Sequence, residues 1–128
     1  MAFRNPFLRY VLACALAAAL PAVNAEILDI QWNSAGEAVQ SVTVPSGKFA
    51  ELCGALSKGQ SIAWTFKADQ PLDFNIHYHR GKDVLSPAKQ EDLVESRGNL
   101  NVSIDQQYCW MWSNKRDTSA RLHVTLKR

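Results

Sequence analysis

Catalytic signatures are missing from this chain. It contains no Gly-x-Ser-x-Gly elbow, no His-Glu-x-x-His, no P-loop and no dinucleotide-binding fingerprint. The adjacent carboxylates Glu91 and Asp92 lie in a hydrophilic stretch and read as solvated rather than as an acid–base pair. No Cys-x-x-Cys is present, which argues against a redox-active dithiol, whose two cysteines usually sit close together. Internal repeats, low-complexity tracts and long linkers are likewise lacking. The apolar run Tyr10 to Leu20 has eleven residues, too few for a bilayer span, which needs roughly 20. An enzyme is therefore not expected, and neither is a membrane-spanning helix.

What precedes and follows that apolar run explains it. Arg4 and Arg9 form a basic start, Pro21 breaks the run, and "VNA" ends in the small residue Ala25. This is the anatomy of a secretory signal peptide over residues 1–25, with cleavage expected between Ala25 and Glu26. Cys14, in "VLAC", lies inside the run with too little of it ahead to make a lipoprotein box. The expected location is the periplasm or the extracellular space. Charge points the same way. The chain carries 14 Lys+Arg against 12 Asp+Glu, and Arg4 and Arg9 account for the whole excess. A neutral mature domain over 26–128 offers no basic footprint for nucleic acid.

Beyond the leader, two cysteines remain, Cys53 and Cys109. In an exported chain that pair reads as one disulfide. Closing a loop of that span contributes roughly 4 kcal/mol on the chain-entropy view, a large part of the net stability of a small domain.

The remaining pattern is alternation. In "SIAWTFK", Ile62, Trp64 and Phe66 alternate with polar or small residues; in "PLDFNIHYH", Leu72, Phe74, Ile76 and Tyr78 do the same. "LNVSID" and "RLHVTLK" repeat the pattern with Leu100, Val102 and Ile104, and with Leu122, Val124 and Leu126. A period of two over such lengths predicts strands with one buried and one wet face. Turn residues in "PSGK", "SKGQ", "ADQP", "RGKD", "SRGN" and "SNKRDTS" punctuate the runs. "SPAKQEDLVES" is expected to be an irregular crossing or an edge segment, with a helical turn as the other option. The fold predicted is all-β, a small antiparallel β-sandwich over 26–128 with one disulfide.

Two motifs bear on function. In "YCWMWSN", parity sends Tyr108, Trp110 and Trp112 to one face, and Cys109, Met111 and Ser113 to the other. Cys53 similarly opposes the apolar parity of Ala50, Leu52 and Leu56. The cysteines can then staple the outside of the sheet if their strands are neighbours. The tryptophans either fill the core, the favoured reading, or form an aromatic ligand platform, since tryptophan is favoured at recognition surfaces. In "HYH", His77 and His79 share a face predicted to be solvent-exposed, about 7 Å apart at strand rise. With His123, also on a polar parity, or with Asp73, Asn75 or Asp83, they form a candidate Cu²⁺ or Zn²⁺ site.

Several of these segments together resemble the GOLD (Golgi-dynamics) domain of secretory cargo receptors and patellin-type lipid-transfer proteins. The resemblance runs through Val44, Pro45 and Gly47, through Lys58 and Gly59 into Trp64 and Phe66, through Asp73, Phe74 and Ile76, and through Tyr108, Trp110, Trp112, Ser113 and Asn114. It implies a β-sandwich used for protein or lipid-surface interaction. The expected function is a non-catalytic exported binding module, without cofactor, recognising a protein or an envelope component. Its candidate contact residues are Trp110, Trp112, His77 and His79, or the segment "RGKDVLSPAKQEDLV". A periplasmic metal-binding protein using His77, His79 and His123 is the alternative.

Overall fold

The alternating runs become seven strands: β1 Glu26–Asp29, β2 Glu37–Val44, β3 Phe49–Leu56, β4 Ser61–Arg80, β5 Asp83–Asn101, β6 Gln106–Ser113 and β7 Ala120–Lys127. The computed structural model describes residues 17–19 and 26–128, so the expected leader, apart from 17–19, lies outside the described residues. No helix among the described residues is long and apolar enough to cross a membrane.

The strands form one hydrogen-bonded path, β1-β3-β6-β4-β7-β2, with β5 added along β4. β4 organises it. On one side it pairs with β5 from Ser61↔Asn101 to Arg80↔Asp83. On the other side its first half pairs with β7 (Ala63↔Lys127 to Ala68↔Leu122) and its second half with β6 (Asp73↔Ser113 to His77↔Cys109). Two layers result, β2-β7-β4-β5 and β1-β3-β6-β4-β5, folded face to face. The contacts of Phe66 with Phe74 (centroids 5.0 Å apart) and with Trp112 (5.7 Å) join first-half to second-half residues across the core. The predicted antiparallel sandwich is the observed fold, except that β1 runs parallel to β3, Leu28 opposite Leu52.

The buried side chains are those that alternation selects. Ile62, Phe66, Leu72, Phe74, Ile76, Leu122, Val124 and Leu126 are at most 2% exposed. Burying each such side chain contributes about 1.5–3 kcal/mol, and each aromatic pair adds roughly 0.5–1.5 kcal/mol.

Three segments read as turns or strands differ. "ADQP" lies within β4, where the pairing with β5 shifts register between Lys67 and Leu72, and the chain passes from one layer to the other. A second register shift follows between Leu72 and Phe74, and there, across from Asp73, Asp92 adopts a positive φ of 54°, a conformation that Asp tolerates better than most residues. "SRGN" lies within β5, not at a turn. Gly98 is needed there for close approach: a Cβ would sit 2.7 Å from Cζ2 of the Trp64 indole. "LNVSID" leaves the strand after Asn101, although Leu100 and Val102 stay buried as their parity requires. "SPAKQEDLVES" is an edge segment, mostly exposed, not a helical turn. "RGKDVLSPAKQEDLV", expected as a binding loop, is a tight turn at Gly81, with φ +60°, running into that edge strand.

Candidate functional site

Register places Cys53 directly opposite Cys109 across β3 and β6, and the two are joined with Cα atoms 4.1 Å apart. The next strand along adds His77, opposite Cys109. One row therefore crosses the outer face of the layer: Asp29, Cys53, Cys109, His77. The neighbouring row on the same face is Ile27, Glu51, Met111, Asn75. Side chains two residues apart on a strand share a face, so Glu51 stands beside Cys53, and Asn75 beside His77.

These residues close into a cluster. His77 Nδ1 lies 2.7 Å from Asn75 Oδ1. An amide oxygen accepts only, so Nδ1–H donates, and in the neutral ring the lone pair belongs to Nε2. Nε2 lies 3.6 Å from Glu51 Oε1. Glu51 Oε2 is 3.8 Å from Cys53 Sγ. His79 packs edge-on against His77, with ring centroids 5.4 Å apart. Burial pushes the His77 pKa below the ordinary histidine value; the Glu51 carboxylate opposes this shift and the His79 ring adds to it.

The sequence-based expectation for His77 is corrected here. It was expected on a wet face and is buried at 6% exposure, because Glu51 and the disulfide row crowd the same side of the sheet. The three-histidine metal set does not assemble. His79 is exposed beside His77, but His123 belongs to the other layer, paired with Ser41 and Lys67, where its Nδ1 is 3.1 Å from Ser41 Oγ. The other suggested ligands are engaged or remote. Asp73 Oδ2 holds Lys115 Nζ at 2.6 Å, Asn75 accepts from His77, and Asp83 sits opposite Arg80 beside the Gly81 turn.

The aromatic platform is corrected as well. Trp110 and Trp112 have no exposure at all, and Trp112 stacks on Phe74 at 5.7 Å. Their indole Nε1 atoms are buried without a hydrogen-bond partner, at a cost of about 1–3 kcal/mol each, so even the polar handles of these rings are withheld from solvent. Glu51 was missed by sequence reasoning. The signal for it was its position two residues before Cys53, on the same outward parity.

The other layer presents a different outer face. Ser41, Thr43, Thr65, Lys67, Arg97, Arg121, His123, Thr125 and Lys127 project from β2, β7, β4 and β5. Shallow hollows of ≈ 590 and ≈ 680 Å³ lie among them. Its charges are only partly paired, by Lys127 with Glu37 at 2.9 Å and by Lys67 with Glu95 at 3.9 Å.

No family model and no curated protein matches the chain. Among solved structures the fold is similar to that of Aeromonas hydrophila PliG, described as a periplasmic lysozyme inhibitor of g-type lysozyme. That likeness has 11% identity and a TM-score of 0.57, covering 81% of this chain and 96% of that one. It is also similar to the pre-peptidase C-terminal domain of a Bacillus anthracis collagenase, at 9% identity and TM-score 0.59, covering 81% and 95%. Salmonella Typhimurium PliG gives 11% and 0.55, covering 80% and 97%. At these identities the likeness shows the fold.

Proposed function

We propose that this protein is a non-catalytic exported module that binds another protein through the outer face of the β2-β7-β4-β5 layer. The observation that carries the reading is the open, hollowed surface holding Arg97, Arg121, Lys67 and several hydroxyls, on a layer whose opposite face is packed core. Partly unpaired cations interspersed with Ser and Thr suit a polar protein surface with acidic side chains. The fold shared with periplasmic inhibitors of g-type lysozyme supports a protein partner in the envelope, and the GOLD-like motifs imply interaction rather than catalysis.

The test is inhibition of a purified g-type lysozyme, together with capture of proteins from an envelope extract, by the oxidised domain. Inhibition or specific capture that is lost in an Arg97→Glu, Arg121→Glu variant and kept in His79→Ala supports the reading. Capture unaffected by the charge reversal places the interface elsewhere. No inhibition and no captured protein refutes it.

A further inference from the structure

We propose that the dithiol form of this protein holds a tetrahedral Zn²⁺-type metal site made of Cys53, Cys109, Glu51 and His77, which formation of the disulfide dismantles. The inference does not depend on the binding role proposed above. Its basis is the placement of four side chains of metal-ligating type on one face of three adjacent strands. The sulfur atoms of Cys53 and Cys109 and a Glu51 carboxylate oxygen lie within 4.8 Å of one another. His77 falls outside that group of three, but its Nε2 is 3.6 Å from Glu51 Oε1 and the residue is the direct strand neighbour of Cys109, so movement of the imidazole toward the sulfurs is what completes the set. Tetrahedral Zn²⁺ with two thiolates, an imidazole nitrogen and a carboxylate oxygen requires ligand separations of about 3.3–3.8 Å, given bond lengths of about 2.0–2.3 Å. Three strands, β3, β6 and β4, supply these ligands at fixed register, so little chain entropy remains to be lost on binding.

The imidazole is already in the ligating tautomer. Asn75 accepts the Nδ1–H bond, which leaves the Nε2 lone pair aimed toward Glu51. That arrangement, a ligand histidine fixed by an acceptor on its other nitrogen, is the usual outer support of a metal site. The site is also nearly closed to water: Cys53 is 3% exposed, Cys109 8% and His77 6%. A half-buried carboxylate beside a buried imidazole is costly without a charge between them, and a divalent cation supplies it. In the oxidised protein both sulfurs are committed to each other, so the set lacks two of its four donors.

The chemistry balances with a phosphine reductant. The phosphine attacks one sulfur, the S–S bond breaks, and water supplies the oxygen of the phosphine oxide and the two protons of the new thiols. Zn²⁺ then displaces those two protons as it binds both thiolates. Reoxidation by a disulfide donor, through thiol–disulfide exchange, reforms Cys53–Cys109, reduces the donor to two thiols and expels the metal.

The experiment reduces the mature protein with a water-soluble phosphine, removes the reagent anaerobically and titrates with Co²⁺ as the optical probe, then with Zn²⁺ in competition. Circular dichroism is followed throughout. The expected result is one Co²⁺ per chain with thiolate charge-transfer bands and a tetrahedral ligand-field spectrum, displaced by Zn²⁺ with release of two protons. The oxidised protein and a Cys53→Ser, Cys109→Ser variant should show neither band. Asn75→Leu should weaken binding roughly 10–100-fold, as loss of outer support does, and His77→Phe and Glu51→Gln should weaken it at least as much. No Co²⁺ bound by the reduced protein overturns the proposal. So does equal affinity in wild type, His77→Phe and Glu51→Gln, which would mean two thiols acting alone, in a folded or an unfolded chain.

Discussion

Along β4, Thr65 and Lys67 obey the same parity as Asn75 and His77, yet the first two are exposed whereas Asn75 is half-buried and His77 is 6% exposed. The strand, the alternation and the side of the sheet are the same. The neighbours differ. Lys67 lies beside His123 on β7, a residue that stays in solvent, whereas His77 lies beside the Cys53–Cys109 bridge with Glu51 against its ring. Parity thus decides toward which side a residue points, and the rows supplied by distant strands decide whether that side is wet. An outer face of a sandwich can in this way acquire a small second interior.

The contrast between the two layers can be broken or sharpened by substitution, and the largest effect should come from the core that they share. Trp110→Ala, under the disulfide layer, is expected to cost about 3–5 kcal/mol, read as a drop in the urea midpoint. A loss below about 1 kcal/mol would mean that the ring is not in the packed interior. Removing the bridge with Cys53→Ala, Cys109→Ala should cost about 2–4 kcal/mol, since it closes a separation of 56 residues. Because the bridge also crowds His77, that double variant should raise the His77 titration toward the ordinary value in an NMR pH series. An unchanged His77 would assign its burial to Glu51 and Asn75 alone.

In the other layer, Gly98→Ala should destabilise by about 1–3 kcal/mol, because the new methyl meets the Trp64 indole. An unaltered midpoint would show that the indole can move aside. The smallest effect concerns pH. Burial lowers the His77 pKa in the folded state, so the unfolded chain binds the proton more readily. Stability from this group is complete above the unfolded value of about 6.5 and is lost as pH falls through the lower folded value. His77→Gln should flatten that part of the stability–pH profile. A profile identical in His77→Gln and the parent would remove His77 as its source.

Much of the fold was legible because strand parity is a local property. Ile62, Trp64 and Phe66, and Leu72, Phe74 and Ile76, announce their inward faces from sequence alone, and two cysteines in the expected mature domain leave one pairing. Non-local approaches were not legible. Gly98 in "SRGN" looks like a turn residue until Trp64 is placed across from it, and "ADQP" looks like a turn until β4 is seen to pass between layers there. The candidate site was half legible: the outward cysteines and His77 were found, but Glu51 carries no mark of its own, and His123 shares polar parity with His77 without sharing its layer. The residues on which the sequence resemblance rested have packing or turn roles here. Val44, Phe66 and Ile76 are buried, Gly47 and Gly59 adopt positive φ, and the Asn114 amide donates to the carbonyl oxygens of Val44 (3.0 Å) and Thr118 (2.7 Å).

The long β4–β5 hairpin, bent at Ala68–Pro71 and Asp92, belongs to both layers at once. Neither layer can open without unzipping a strand that the other also needs. The seven described strands therefore have no natural division into separately melting units, and the slowest-exchanging amides of β6 and those of β7 should report one shared opening energy, that of global unfolding. Local fluctuation is left to strands outside this shared ribbon, foremost the four-residue edge strand β1.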